Sequence, residues 1–313
     1  MNGLFWNCRG AGKRGRATCF SDIIRDHSLD FLGILETKKE KFAHKYLRKV
    51  DPFERFTWKW TPSIGKSSGI LCGVRKEALD VVSWMVGKYL LQVSIYDAKL
   101  KSIWTLVVVY GAAHDELRDE FLDELTSCCD NIKTPYVIGG DFNILRDSSD
   151  KNKPLHRSQY MDRFNNTIHS LNLREIHMGG GRFTWTNKQR HPTLKKLDRA
   201  LMSPDWEDLF PLIVVRKLVR DVSDHNPLLL TTNPGKNGPM HQREFRFELS
   251  WLKNEDFYGK AKMIWEKPVH SEDPIDILNI KLKRIKNSLK DGALTSSAMP
   301  IKERSGLRRS WKK

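Results

Sequence analysis

Residues 139–143 read Gly-Gly-Asp-Phe-Asn, directly after the apolar run Tyr136-Val137-Ile138 that Pro135 introduces. This pattern predicts a buried strand ending in a tight glycine turn. In extended backbone, residues i and i+2 project the same way. Asp141 and Asn143 would therefore address one spot just past the strand's end. Asp and Asn also favour such turns for backbone reasons alone, so the pair gains functional meaning only if other polar groups converge on it.

Other strand exits carry such groups. Asn7 follows Leu4-Phe5-Trp6, Glu36 follows the apolar run of residues 31–35, and Tyr110 closes the long apolar run of residues 103–109. The Asp224-His225 pair stands just before Leu228-Leu229-Leu230. Polar ends recurring in this way suggest strands that deliver side chains to a single rim.

The elements that must position them are many and short. Apolar runs and alternation predict further strands near residues 53–60, 70–74, 79–86, 90–96 and 212–219. Helical spacing is expected over 13–27, 39–50, 115–129 and 156–171, and residues 194–201 form one further segment. Glycine turns are expected at 65–69 and 179–181. Without regular βαβ alternation, the pattern is that of a mixed α/β layered fold around two packed sheets. This domain is expected to span residues 1–232, followed by a linker over 233–244 rich in Pro, Gly, Asn and Lys. Residues 245–313 form a basic extension. Its 245–265 stretch lacks clear alternation, residues 275–289 have helical spacing, and the tail beyond Asp291 reads as disordered.

The chain has 313 residues and a formal net charge of +16. Residues 281–313 contain eleven Lys/Arg and two acidic residues, so the tail carries more than half of the net charge. Such a chain attracts polyanions, nucleic acid first. No apolar run reaches the length of a membrane span, and the amino terminus lacks a secretory pattern. Five cysteines without C-x-x-C pairs fit reduced thiols in an intracellular protein rather than a zinc site. No obligate protein partner is evident.

The ordered motifs Trp6-Asn7-Cys8-Arg9-Gly10, Leu35-Glu36-Thr37, Val109-Tyr110-Gly111, Gly140-Asp141-Phe142-Asn143, Phe183-Thr184-Trp185, Leu197-Asp198-Arg199 and Ser223-Asp224-His225 resemble the endonuclease/exonuclease/phosphatase superfamily. Within it, the match is closest to the apurinic-type endonuclease domain of plant non-LTR (LINE-type) retrotransposons. The resemblance covers residues 1–232 and implies a DNase I-like, four-layer α/β/β/α sandwich. It implies a divalent-metal-dependent endonuclease that nicks DNA, leaves a 3′-hydroxyl and works in the nucleus. Phe245-Arg246-Phe247-Glu248 and Trp251-Leu252 resemble the segment that follows the nuclease in those elements, whereas the tail from Asp291 does not, which suggests a truncation or change of frame.

Phosphodiester hydrolysis calls for a bound divalent ion, an activated water and stabilisation of the leaving oxygen. Glu36 is a hard oxygen ligand suited to Mg²⁺ or Mn²⁺, Asn7 a neutral ligand beside it, and Asp224 could complete the set. His225, with its near-neutral pKa, suits the scissile phosphate or its water. By resemblance, Asp198 holds the His225 imidazole, Asp141 orients or deprotonates the water, Asn143 fixes the phosphate, and Tyr110 contacts the phosphate or leaving group. Arg9, Thr184 and Trp185 would meet the nucleic acid, the last two from a loop. Arg9 stands where some repair-type relatives carry a second acidic metal ligand, a subfamily character that implies looser ion binding. Two other readings use the same residues: a catalytically decayed, retroelement-derived nucleic-acid-binding module, and a phosphatase or phosphodiesterase of the same fold.

Overall fold

The computed structural model describes residues 1–63, 69–219, 222–234, 247, 249–270 and 274–290. The chain divides into two compact units, Met1–Gln242 with His270–Asp273, and Arg243–Val269 with Pro274–Lys313.

The first unit opens with β1 (Asn2–Asn7), α1 (Arg16–Asp26), β2 (Phe31–Leu35), α2 (His44–Val50), β3 (Phe56–Thr61) and β4 (Ile70–Arg75). It continues with β5 (Asp80–Val86), β6 (Leu90–Asp97), β7 (Ser102–Tyr110), α3 (Arg118–Asp130), β8 (Tyr136–Asp141) and α4 (Gln159–Ser170). Short strands β9 (Arg174–Glu175), β10 (Met178–Gly179), β11 (Trp185–Thr186) and β12 (Leu194–Lys195) precede β13 (Asp198–Met202), α5 (Pro204–Leu209), β14 (Val214–Lys217) and β15 (Leu228–Thr231). One sheet has seven strands in the order β10-β14-β15-β1-β2-β4-β3, and the other has six in the order β5-β6-β7-β8-β13-β9.

Strand alternation sorts the apolar side chains into three layers. Phe5, Phe31, Leu35, Leu106 and Val108 fill the space between the sheets. Their chain neighbours Leu4, Trp6, Leu32 and Ile34 face the other way and pack on Phe20, Ile23 and Leu47 of α1 and α2. Val107, Val109 and Ile138 do the same on the second sheet, covered by Phe121 and Leu125 of α3 and Phe164 of α4. The central strands of both sheets are thus buried on two faces, and the result is the expected α/β/β/α sandwich. Local βα-crossovers do exist: β1 and β2 are parallel across α1, and β7 and β8 are parallel across α3.

The second unit contains α6 (Glu255–Trp265) and α7 (Pro274–Lys290). They pack through Phe257, Ala261, Ile264, Ile285 and Leu289. Helix α6 lies in the 245–265 stretch that lacks strand alternation, and Phe257, Ala261 and Ile264 in it follow the i, i+4, i+7 spacing of a helix face. The expected 39–50 helix begins only at His44, since the Lys39 carbonyl is committed to the Ser63 amide. The single segment expected at 194–201 divides into β12 and β13, which belong to different sheets. The core of the 65–69 turn, most of the 233–244 linker and the tail beyond Asp291 lie outside the described residues.

Candidate active site

Register brings the polar strand ends together. Asn7 pairs with Leu35 across the parallel β1–β2 ladder, so Glu36 follows beside it. Antiparallel β15 pairs Leu228 with Phe5, which sets residues 223–227 next to the end of β1. In the other sheet, Asp141 pairs with Tyr110 on one side and with Asp198 on the other. The ends of the parallel strands and the beginnings of the antiparallel ones therefore share one rim. Two glycines make this approach possible. A Cβ on Gly139 would lie 2.2 Å from the Phe5 ring of the facing sheet. Gly140 has φ +147, and a Cβ there would lie 2.0 Å from the Val109 carbonyl oxygen.

A chain of ionisable and amide side chains runs through the centre of the site. His225 Nδ1 lies 2.8 Å from Asp198 Oδ2, and its Nε2 faces Asp141 Oδ2 at 3.8 Å. Asp141 Oδ2 also accepts from Asn7 Nδ2 at 2.9 Å, and its Oδ1 accepts from the Asn143 amide at 3.0 Å. Asn143 in turn donates its Nδ2 to the Gly111 carbonyl at 2.9 Å. Asp141, Asp198 and His225 are almost fully buried.

Burial and neighbouring charges set the protonation of Asp141 and His225. Burial pushes the Asp141 carboxyl up to about 7, and Asp198 adds to the rise against the opposing pull of His225. For His225, burial acts downward, but the Asp198 and Asp141 carboxylates outweigh it and carry the imidazole up to about 9. The site thus sets a carboxyl that titrates near neutrality against an imidazole that holds its proton, the acid–base contrast that proton-transfer chemistry uses.

A second group lies on the seven-stranded side. The Arg9 guanidinium reaches both expected metal-binding carboxylates, with Nε 3.4 Å from Glu36 Oε1 and Nη1 2.5 Å from Asp224 Oδ2. Lys38 Nζ adds a second cation on Glu36 at 3.0 Å. The hydrogen bond to Asp224 raises the Arg9 pKa. Burial works upward on Asp224, but the His225 charge and the Arg9 contact outweigh it and hold the carboxyl below its ordinary value. Asn7 Oδ1 accepts from the Arg9 amide at 3.1 Å. Arg9, Glu36 and Asn143 all have positive φ, near 50, an uncommon backbone state for such residues that clusters at functional sites.

Tyr110 is half-buried at the end of β7, across from Asp141. The two remaining expected nucleic-acid residues differ in exposure, Thr184 buried and Trp185 half-buried at the site. Thr184 is fully buried, and its Oγ1 accepts from the amides of Leu197 and Asp198 at 3.0 Å each. It brackets the start of β13 and does not face solvent. Trp185 belongs to β11, not a loop, and its indole N–H donates to Asp224 Oδ2 at 2.9 Å. Lys195 lies over that ring.

Sequence reasoning missed Ser223 and Lys38. Ser223 Oγ donates to the Asn7 carbonyl and accepts from the His225 amide, joining β1 to the Asp224-His225 turn. Adjacency to Glu36 and to Asp224 was the available signal for both. A cleft of about 280 Å³, lined among others by Arg9, Lys13, Thr186, Lys188 and Asp224, opens beside this group.

Glu36 and Asn7 offer hard oxygen donors of the kind Mg²⁺ and Mn²⁺ prefer. The buried Glu36 carboxylate and Asp224 draw cationic side chains of the chain itself, so this is a place that favours positive charge, and the residues fit a divalent ion. Asp141, Asp198 and His225 also bring ligand atoms within 4.8 Å of one another. The His225–Asp198 hydrogen bond and the nearby Asp141 carboxylate suit a proton path better, because a ligated His225 would have to lose the proton that the two carboxylates favour on it.

The model of the Endonuclease/Exonuclease/phosphatase family matches residues 4–225. The chain belongs to this family. Its members are phosphodiester hydrolases, and the matched span includes every motif described above. Among solved structures, the endonuclease domain of TRAS1, a telomere-specific non-LTR retrotransposon, is similar with a TM-score of 0.57 at 18% identity, covering 74% of this chain and 97% of that one. The Neisseria 3′ phosphatase NExo, bound to a product DNA hairpin, gives 0.59 at 17% identity over 74% and 99%. The AP endonuclease LMAP of Leishmania major gives 0.58 at 15% over 73% and 86%. These likenesses establish the DNase I-like fold. No curated protein sequence matches the chain. Among the described residues, no helix is long and apolar enough to cross a membrane.

Proposed function

We propose that this family member is a divalent-metal-dependent endonuclease that hydrolyses phosphodiester bonds in DNA, of the target-nicking retrotransposon kind with a 3′-hydroxyl product. The observation that carries the reading is the buried Asp198–His225–Asp141 chain set beside Glu36 and Asn7. Asp141 accepts the proton of the attacking water, since its raised pKa makes it a competent base near neutrality. Asp198 fixes the His225 tautomer and supports its charge, which then faces the developing negative charge on the phosphoryl oxygens. Asn143 and Tyr110 complete the polar wall around the phosphate. Glu36 and Asn7, with Asp224, would hold Mg²⁺ or Mn²⁺, which when bound polarises the phosphate and stabilises the leaving oxygen. The catalytic unit in this reading is residues 1–232, with residues 245–313 a basic extension across a linker, and the setting is a plant LINE-type element acting in the nucleus.

The net charge of +16 supports a nucleic-acid substrate over a neutral one. The retrotransposon endonuclease and AP endonuclease among the similar structures support cleavage within DNA. The 3′ phosphatase among them keeps removal of a terminal phosphate as a second reading.

Nicking of supercoiled plasmid, with Mg²⁺ or Mn²⁺ against EDTA and with Asp141→Asn alongside, tests the first. The expected result is metal-dependent nicking that the variant loses. Phosphate release from a 3′-phosphorylated oligonucleotide without nicking would favour the phosphatase. A folded protein that shifts DNA in a gel and does neither would make it a binding module.

A further inference from the structure

The two carboxylates expected to bind the ion are already bridged by a cation of the chain. Arg9 Nε meets Glu36 and Nη1 meets Asp224, so one guanidinium spans both acids. Both acids are largely buried, yet the Arg9 side chain is 45% exposed. Its amide stays tied to Asn7 Oδ1, which fixes the root of the side chain at the same site. A long side chain held by its backbone and nearly half exposed can leave its partners without unfolding anything. The carboxylates cannot follow it: the Trp185 indole donates to the same Asp224 Oδ2 that Arg9 reaches and holds that oxygen in place, and Glu36 sits at the end of a core strand.

From this geometry we infer that Arg9 is an exchangeable counter-ion, which a divalent cation must displace from Glu36 and Asp224 on binding. The inference rests on the reading of those residues as the ion's holders and adds its regulation. Arg9 supplies one positive charge to the two carboxylates beside Lys38 on Glu36, and a doubly charged ion in its place supplies two. The exchange is therefore favourable but weaker than binding to bare carboxylates, since the guanidinium contacts are lost in the same step. The released guanidinium lies at the cleft that Lys13 and Lys188 also line. Three cations would then face an incoming polyanion only after the ion is in place. By linkage, a ligand that captures Arg9 tightens the ion and the ion tightens the ligand.

Calorimetric titration of Mn²⁺ into the full chain, Arg9→Gln and Glu36→Gln, without nucleic acid, tests this. Arg9→Gln is expected to bind Mn²⁺ about ten-fold more tightly or better, because the one cation that bridges both carboxylates is gone and, among the described residues, only Lys38, on Glu36, still competes. Glu36→Gln is expected to lose the site. Equal or weaker binding by Arg9→Gln, with loss in Glu36→Gln, would make Arg9 a fixed strut and overturn the exchange while leaving the ion site intact. No Mn²⁺ binding by any of the three would instead remove the ion site itself, and the exchange with it. Should Arg9→Gln be too unstable to titrate, Arg9→Lys decides. Its ammonium keeps the charge but cannot span both carboxylates, so tighter Mn²⁺ binding than the unaltered chain is again expected, and equality overturns the inference.

Discussion

Asp198 and Arg199 are consecutive on β13 yet serve opposite faces of the sheet. Asp198 Oδ2 meets His225 Nδ1 at 2.8 Å in the candidate site. Arg199, on the outer face, pairs with Asp150 and, at 2.8 Å, with Glu175, which also takes Arg146 and Lys196. An adjacent Asp-Arg could have been a local ion pair, but strand alternation rules that out. The acid is left to the imidazole, and the arginine anchors the strand that presents it.

Replacing Asp198 with Asn isolates the first role. The carboxamide keeps the size but removes the charge that supports an imidazolium, so His225 is expected to titrate well below about 9. Loss of an oriented, charged imidazole should lower kcat/KM for DNA nicking about 100-fold or more. NMR titration of the His225 ring and nicking kinetics check the two effects. An unchanged ring pKa would remove Asp198 from the proton path.

Stability in EDTA should fall as pH rises. Asp141 moves from an ordinary 3.8 to about 7 on folding, and His225 from 6.5 to about 9. Each group holds its proton in the folded chain where the unfolded chain has lost it, and stability declines wherever the folded state binds more protons. The His225 contribution is fully present below 6.5 and is lost through about 9. The Asp141 contribution is present below 3.8 and lost through about 7. Asp224, held below its ordinary value, acts only at the acid end. Urea midpoints measured across this range should decline, and Asp141→Asn should flatten the lower part only. A midpoint that climbs through the upper window would contradict the assignment.

Arg199 is 1% exposed at its side chain, and its partners Asp150 and Glu175 are 9% and 17% exposed. Arg199→Met would leave Asp150 in the interior without its counter-charge, while Glu175 keeps Arg146 and Lys196. Breaking a buried ion pair from one side costs about 3–5 kcal/mol, and denaturant unfolding should register a loss of that order. Burial works upward on Glu175, but Arg199, Lys196 and Arg146 outweigh it and hold the carboxyl at about 2. Its contribution is present above 4.5 and is lost as pH falls through about 2. The variant should therefore lose part of the acid sensitivity of the unaltered chain.

Much of this was legible in the residues, and the exceptions have physical causes. Runs such as 31–35 and 104–109 are buried on both faces, so they read directly as strands. Their polar exits mark the rim because parallel strands end together. Pairing between side chains was not legible. Arg9 reads as a surface cation awaiting phosphate, since nothing in Trp-Asn-Cys-Arg-Gly says that β2 and the 223–225 turn will set carboxylates on both sides of it. Residues 184 and 185 misled for a related reason. Thr and Trp after glycines suggest an exposed loop, but the two-strand β11–β12 ladder folds that loop back into the site.

Thr184 gives the clearest test of that correction. Its hydroxyl oxygen accepts from two buried amides, those of Leu197 and Asp198. Thr184→Val keeps the shape and deletes the acceptor, leaving both N–H groups without their partner. Each unsatisfied buried donor costs about 1–3 kcal/mol, so a loss of roughly 2 kcal/mol or more is expected in denaturant unfolding. A contact with nucleic acid would instead leave stability near its original value and weaken DNA binding. Because the side chain is 0% exposed, the folded variant should bind a DNA duplex, by fluorescence anisotropy, as the unaltered chain does. Any nicking defect should appear in kcat, through the displaced start of β13 and Asp198, and not in KM. Weakened DNA binding at unchanged stability would restore Thr184 to the nucleic-acid surface.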